Sequence, residues 1–276
     1  MHNLETILLF KDALYGSLLI AIACSVLGVY VVFRRIVFVG AAMAQLSSAG
    51  IALALFLTGI GLTLGAVTQP LTMSLLMTLA GAVFFGLGGG RPRIPPDATI
   101  GVTYVVAAAA GILLISKAAT GEAHDMFLQG NILGITVHDM WVLLGVALPV
   151  LLVHLIFYKE FLFVSFDRET ARTLGYNVTF WNLFLYVTLG LVIAFAMQFA
   201  GVMLVFNFLV LPAVTGMLVA RNMRGTFIVA VLSALIAAVI GFSLSVPFDL
   251  PTGPAMIACS GALVLCGWMT RLVQRR

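Results

Sequence analysis

Inside the long apolar stretches of this 276-residue chain, few side chains could coordinate an ion or move a proton. Gln45, Ser47 and Ser48 make one short polar strip, and Asn207 stands in a charge-free run. Their amides and hydroxyls are uncharged oxygen donors, suited to hydrogen bonds or to weak coordination of a cation. The strip either lines a path through the bundle or bonds one helix to another. Met43, Met197 and Met203 add thioethers, which suit a soft ion such as copper(I) but more often fill gaps in an apolar core. His154 lies near the end of an apolar stretch, close to Lys159, and reads as a packed or interfacial residue. His124–Asp125 and His138–Asp139 fall between stretches, as solvated loop groups or as contacts for cargo or a binding protein. All ten Asp and Glu residues lie in the gaps, which argues against a channel or an ion-coupled transporter. The sequence has no HExxH, no GxxxxGK[ST] phosphate loop and no buried nucleophile–base pair. It therefore carries no recognisable apparatus for hydrolysis or phosphoryl transfer.

The elements that hold these groups follow from composition and charge order. Hydrophobic residues are 62% of the chain and charged residues 9%, which excludes a water-soluble core. Twelve of the fourteen Lys and Arg residues occupy alternate gaps: Arg34 and Arg35; Arg91 and Arg93; Lys159, Arg168 and Arg172; Arg221 and Arg224; and Arg271, Arg275 and Arg276. The gaps between hold only Lys11 and Lys117. Cytoplasmic loops retain Lys and Arg. The reading is an all-α polytopic membrane helix bundle of about nine crossings, N-terminus outside and C-terminus inside.

A span needs about 20 apolar residues. The predicted spans are 14–33, 36–57, 71–87, 98–116, 140–158, 179–197, 201–220, 226–246 and 255–269. The count falls to eight if 58–69 dips back as a re-entrant segment. The charge-free run 173–220 must break near Gln198–Gly201. The chain reads as one transmembrane domain, 1–276. The N-terminus shows no basic n-region or cleavage site, so the first stretch reads as a retained span. The net charge of +4 is accounted for by the loop bias, and nothing points to nucleic acid. Cys24, Cys259 and Cys266 lack CxxC spacing and read as small packing residues. Glycines such as Gly28, Gly50 and Gly241 should let helices approach closely.

The most polar segment is 164–175. Asp167 can cap a short helix, Glu169 suits the positive end of its dipole, and Gly175 can supply a left-handed residue after the last turn. This predicts a two-turn helix on the cytoplasmic side, either a plain connector or a docking element for a partner.

The run 166–175, FDRETARTLG, resembles the coupling helix of permeases in bacterial ABC importers for zinc, manganese and iron, the ABC-3 family. The runs FRRIVFVG at 33–40, DATIG at 97–101, GNIL at 130–133, AGVMLV at 200–205, LVLPA at 209–213 and FDLPTGP at 248–254 are similar in kind and keep the family's order. The resemblance implies a non-catalytic permease in the bacterial inner membrane, surrounded by lipid and working as a homodimer. It implies an ATPase dimer, holding the ATP and Mg, docked on a coupling segment near 165–176 that includes Asp167, Arg168, Glu169, Arg172 and Gly175. It also implies an extracytoplasmic solute-binding protein that delivers cargo, and no cofactor in this chain.

One departure matters. Family members usually carry Asp and, four residues on, His early in the second span, a spacing that puts carboxylate and imidazole on one face for a divalent ion. Here Ala41 and Gln45 stand at those places. The metal ligands are therefore unknown, and the candidate pathway residues are Ala41, Met43, Gln45, Ser48 and Asn207. The competing reading is a repurposed permease with a non-metal substrate or a scaffold role.

Overall fold

A computed structural model of the chain describes residues 11–62, 65–88, 95–117 and 132–274. His124, Asp125, Arg91 and Arg93 lie outside the described residues. Those described form ten α-helices, two short 3-10 turns (Gly65–Thr68 and Ile132–Gly134) and no strand. The helices are α1 (Lys11–Phe33), α2 (Phe38–Gly59), α3 (Pro70–Gly86), α4 (Pro96–Lys117), α5 (Val137–Ile156), α6 (Tyr158–Phe166), α7 (Arg168–Thr173), α8 (Val178–Val219), α9 (Met223–Phe248) and α10 (Thr252–Gln274). Seven of them are long and apolar enough to cross a bilayer, while α3 is shorter at 17 residues.

Local chemistry starts several of these helices. Thr136 and Asp139 form a reciprocal capping box at α5, so Asp139 is a helix-start residue. Asn177 and Asn222 accept from the amides of Phe180 and Gly225 at the starts of α8 and α9. Pro70 sits at the first turn of α3, where a missing N–H costs nothing. Residues 60–62 after α2 and 65–67 before α3 are exposed.

Helix α8 is the centre of the bundle and touches α1, α2, α3, α9 and α10. At 42 residues it is too long to be one span, and Gly201 breaks it with φ 69° and ψ 168°, a conformation open essentially to glycine alone. The chain reverses there. Leu185 packs with Tyr30 of α1, and Ala196 shares a small void with Ala23, so the first arm runs antiparallel to α1. Leu209 of the second arm then lies against Gly28, back toward the Phe33 end of α1. The sequence-predicted break near 198–201 is thus a single-residue turn.

Close approach replaces water exclusion as the glue between these helices. A Cβ on Gly28 would sit 1.9 Å from the Leu209 carbonyl oxygen, and one on Gly241 2.5 Å from Met256 Cα. Large apolar side chains face outward on the peripheral helices, among them Val102, Leu113 and Leu155. Such a surface would drive aggregation in water and is the ordinary exterior of a protein in lipid. Cys24 is buried and all three cysteines are free.

Candidate functional site

Ala41, Gln45 and Ser48 occupy one face of α2, because i, i+4 and i+7 coincide on a helix. All three are buried at the fringe, 7–8% exposed, whereas Met43 at 0% points into the main core. Ala41 lines a cavity of about 640 Å³ with Phe38, Gly101, Tyr104, Met203 and Phe206. Gln45 and Ser48 continue the same face one and two turns along.

The polar strip divides by function. Ser47 bonds Ser74 of α3 at 2.7 Å and ties two helices together. The Gln45 amide makes no hydrogen bond among the described residues, and neither of its polar atoms is a sealed, unpartnered one. An amide in that condition is open to whatever fills the space beside it. Asn207 is separate from this face: its Nδ2 donates to Ser260 of α10 at 3.1 Å, and its Oδ1 is buried without a partner. The structure therefore unites Ala41, Gln45 and Ser48 and leaves Met43 and Asn207 elsewhere.

No group of three or more His, Cys, Asp or Glu side chains converges among the described residues. His154 is a packed residue, with Nε2 3.0 Å from Thr188 Oγ1 and its ring stacked on Phe161 at 4.2 Å. His138 is exposed.

The polar segment after α5 folds as its sequence suggests, though α7 is only six residues long. Asp167 accepts from the amides of Glu169 and Thr170 at 3.1 and 2.9 Å. The Thr170 hydroxyl and amide hold its carboxyl below the usual carboxylate range. The cap is therefore complete at neutral pH and is lost only as pH falls through that lowered pKa. Gly175, with φ 87°, follows the last turn; its amide reaches Arg172 O and the Tyr176 amide reaches Ala171 O, closing both orphan carbonyls. Ala171 is fully buried against Val164 and Val178, while Glu169, Arg172 and Gly175 are exposed. One side of α7 thus grips the bundle and the other is free.

Gly175→Val should unwind this end and nothing else. A side chain there meets no atom within 4 Å, so the cost is the left-handed backbone, about 1–2 kcal/mol. Hydrogen exchange should quicken across 171–176 with the spans unchanged; unaltered protection there would refute the capping role.

A second feature is assembled by tertiary packing. Asn182, in the first turns of α8, joins three distant segments. Its Oδ1 accepts from Arg34 Nη1 at 2.7 Å and, more weakly, from Arg168 Nη2 at 3.5 Å. Its Nδ2 donates to Gly86 O at the end of α3, at 2.6 Å. Arg34 also donates from Nε to Ser165 Oγ at 2.8 Å, while its Nη2 is buried without a partner. Burial, with Arg168 nearby, lowers the Arg34 guanidinium to about 10, so it stays charged at neutral pH. Arg34 and Arg168 line a cavity of about 470 Å³ that opens beside α7. The only hint in the sequence was Arg34 itself, since its partners are set by tertiary packing.

The family model for the ABC 3 transport family matches residues 6–271. The manganese import system permease protein ScaB of Streptococcus gordonii is 31% identical over 96% of this chain and 92% of its own length. The chelated iron transport system membrane protein YfeD of Yersinia pestis is 29% identical over 90% of this chain and 80% of its own. Among solved structures, PsaBC from Streptococcus pneumoniae in complex with Fab aligns with a TM-score of 0.82 at 26% identity, covering 97% of this chain and 94% of that one.

Proposed function

The chain belongs to the ABC 3 transport family, and from that premise we propose that it is the membrane-spanning permease subunit of an ATP-binding-cassette importer for a divalent metal ion or a metal chelate. What carries this reading is coverage: the likeness to manganese and chelated-iron permeases runs through every span and not through one motif. It favours transport over the scaffold alternative. In this reading two copies enclose a path beside the Ala41–Gln45–Ser48 face, in the bacterial inner membrane. A cytoplasmic ATPase dimer, holding ATP and Mg, docks on the exposed side of α7, and an extracytoplasmic binding protein supplies cargo. Hydrolysis belongs to the partner.

Cargo chemistry follows from the neutral face. Ala41 cannot ligate, and the Gln45 amide brings no charge. Such a face suits a cation whose ligands travel with it, a chelate, or an ion held only in passing. The test is reconstitution with the ATPase and the binding protein in liposomes. ATP hydrolysis stimulated several-fold by manganese or by an iron chelate, with uptake of the same cargo, is the expected result. Binding of the ATPase with neither stimulation nor uptake would return the chain to the scaffold reading.

The nine-crossing topology is open to a simpler check. In a variant with its cysteines replaced by serine, a cysteine at Leu62 should react with an impermeant reagent in intact cells. One at Thr173 should not. The reverse pattern would invert the orientation.

A further inference from the structure

A groove of about 780 Å³, sharing no lining residue with the Ala41 cavity, runs between α1, α5, α6 and α9. It changes character along its length. Leu148, Leu152 and Leu155 of α5 form an apolar wall, faced by Ile228 of α9. Leu155 is 73% exposed and Ile228 60%, so none of the described residues covers this wall. Past the end of α5 the lining turns polar, with Tyr158, Lys159 and Glu160 of α6 and Arg224 of α9.

Those polar groups are not spent on one another. Lys159 and Arg224 are exposed, and neither forms an ion pair among the described residues. Glu160 Oε2 is buried with no hydrogen-bond partner. The wall is too long and apolar for a free anion, and the end is too charged for a bare hydrocarbon. Both cations also lie in gaps that the charge bias assigns to the cytoplasmic side, where basic pockets between spans attract anionic headgroups.

We propose that this groove binds a phospholipid with an anionic, hydroxyl-bearing headgroup of the phosphatidylglycerol type. The phosphate sits at Lys159 and Arg224. A headgroup hydroxyl donates to the Glu160 carboxylate, and an acyl chain lies along Leu148–Leu155. Glu160 makes the choice among anionic lipids: it accepts from a glycerol hydroxyl and repels phosphatidic acid, which presents more negative charge.

Native mass spectrometry of the full chain, purified in mild detergent and supplied with defined lipids, tests this without reference to transport. Phosphatidylglycerol should remain bound at least tenfold better than phosphatidylcholine. Lys159→Ala with Arg224→Ala should abolish that preference; both residues are exposed, so the fold should survive, and thermal unfolding in detergent would verify it. Glu160→Gln should raise phosphatidic acid to parity with phosphatidylglycerol. Equal retention of all lipids by the wild type, or a preference that survives loss of both cations, overturns the site. Displacement of the lipid by millimolar inorganic phosphate would make it an anion site and overturn the lipid assignment. An unchanged headgroup order in Glu160→Gln would remove the hydroxyl from the proposal.

Discussion

Arg34→Met should leave the protein in the membrane and cut cargo-stimulated ATP hydrolysis about tenfold, a loss of about 1.4 kcal/mol. Arg34 bonds Ser165 in the segment leading to α7 and Asn182 at the start of α8, and Asn182 in turn holds the last carbonyl of α3. Hydrogen bonds from a charged donor are worth about 1.5–3 kcal/mol each. Relief from burying a cation offsets part of that loss. The net cost should be about 2 kcal/mol, enough to loosen α7 and not enough to unfold the bundle. Methionine keeps the length of the chain and removes only the fork. Arg34→Lys separates charge from geometry: it keeps the cation but cannot form both bonds at once. It should behave like Arg34→Met in the ATPase assay and like the wild type in thermal unfolding. Wild-type stimulation in both variants would show that α7 is positioned by Ala171 packing alone.

The double change Ala41→Asp with Gln45→His should strengthen binding of zinc or manganese on this face. On α2 these positions are one turn apart, so carboxylate and imidazole would share a face. An Asp facing lipid costs roughly 2.5–3.5 kcal/mol on insertion scales, enough to harm assembly. Ala41 borders a cavity of about 640 Å³, where hydration should reduce that penalty greatly. Good expression with at least tenfold tighter metal binding by isothermal titration is the expected outcome. A well-folded double variant with no gain in affinity would show that this face does not line the cargo path. Poor expression of Ala41→Asp beside normal expression of Gln45→His would place position 41 against lipid.

How much of this was legible in the residues depended on the range of the physics. The caps at Asp167 and Gly175 could be read directly, because a cap is a contract among residues three to five positions apart. The turn at Gly201 was legible as a necessity of length, since 173–220 is charge-free and too long for one crossing. The face shared by Ala41, Gln45 and Ser48 followed from helical period. Asn182 could not be found that way, because Arg34 and Gly86 reach it across 148 and 96 positions. The same period already sets Met43 off that face, whereas nothing local could separate Asn207 from it. Spans that are apolar all round carry no stripe to say which neighbour each side chain meets.

In the nine-crossing topology proposed above, Gly201 also carries the parity. A straight helix of 42 residues would run about 63 Å, roughly twice the thickness of a hydrocarbon core. With no charge between Thr173 and Ala220 to halt it, only one dihedral pair separates two passes from one overlong rod. Every element after that residue inherits the outcome. An even number of crossings would send Arg221, Arg224 and the basic tail to the opposite side of the membrane. The sidedness of the last third of the chain therefore rests on one residue whose only distinction is the atom it lacks.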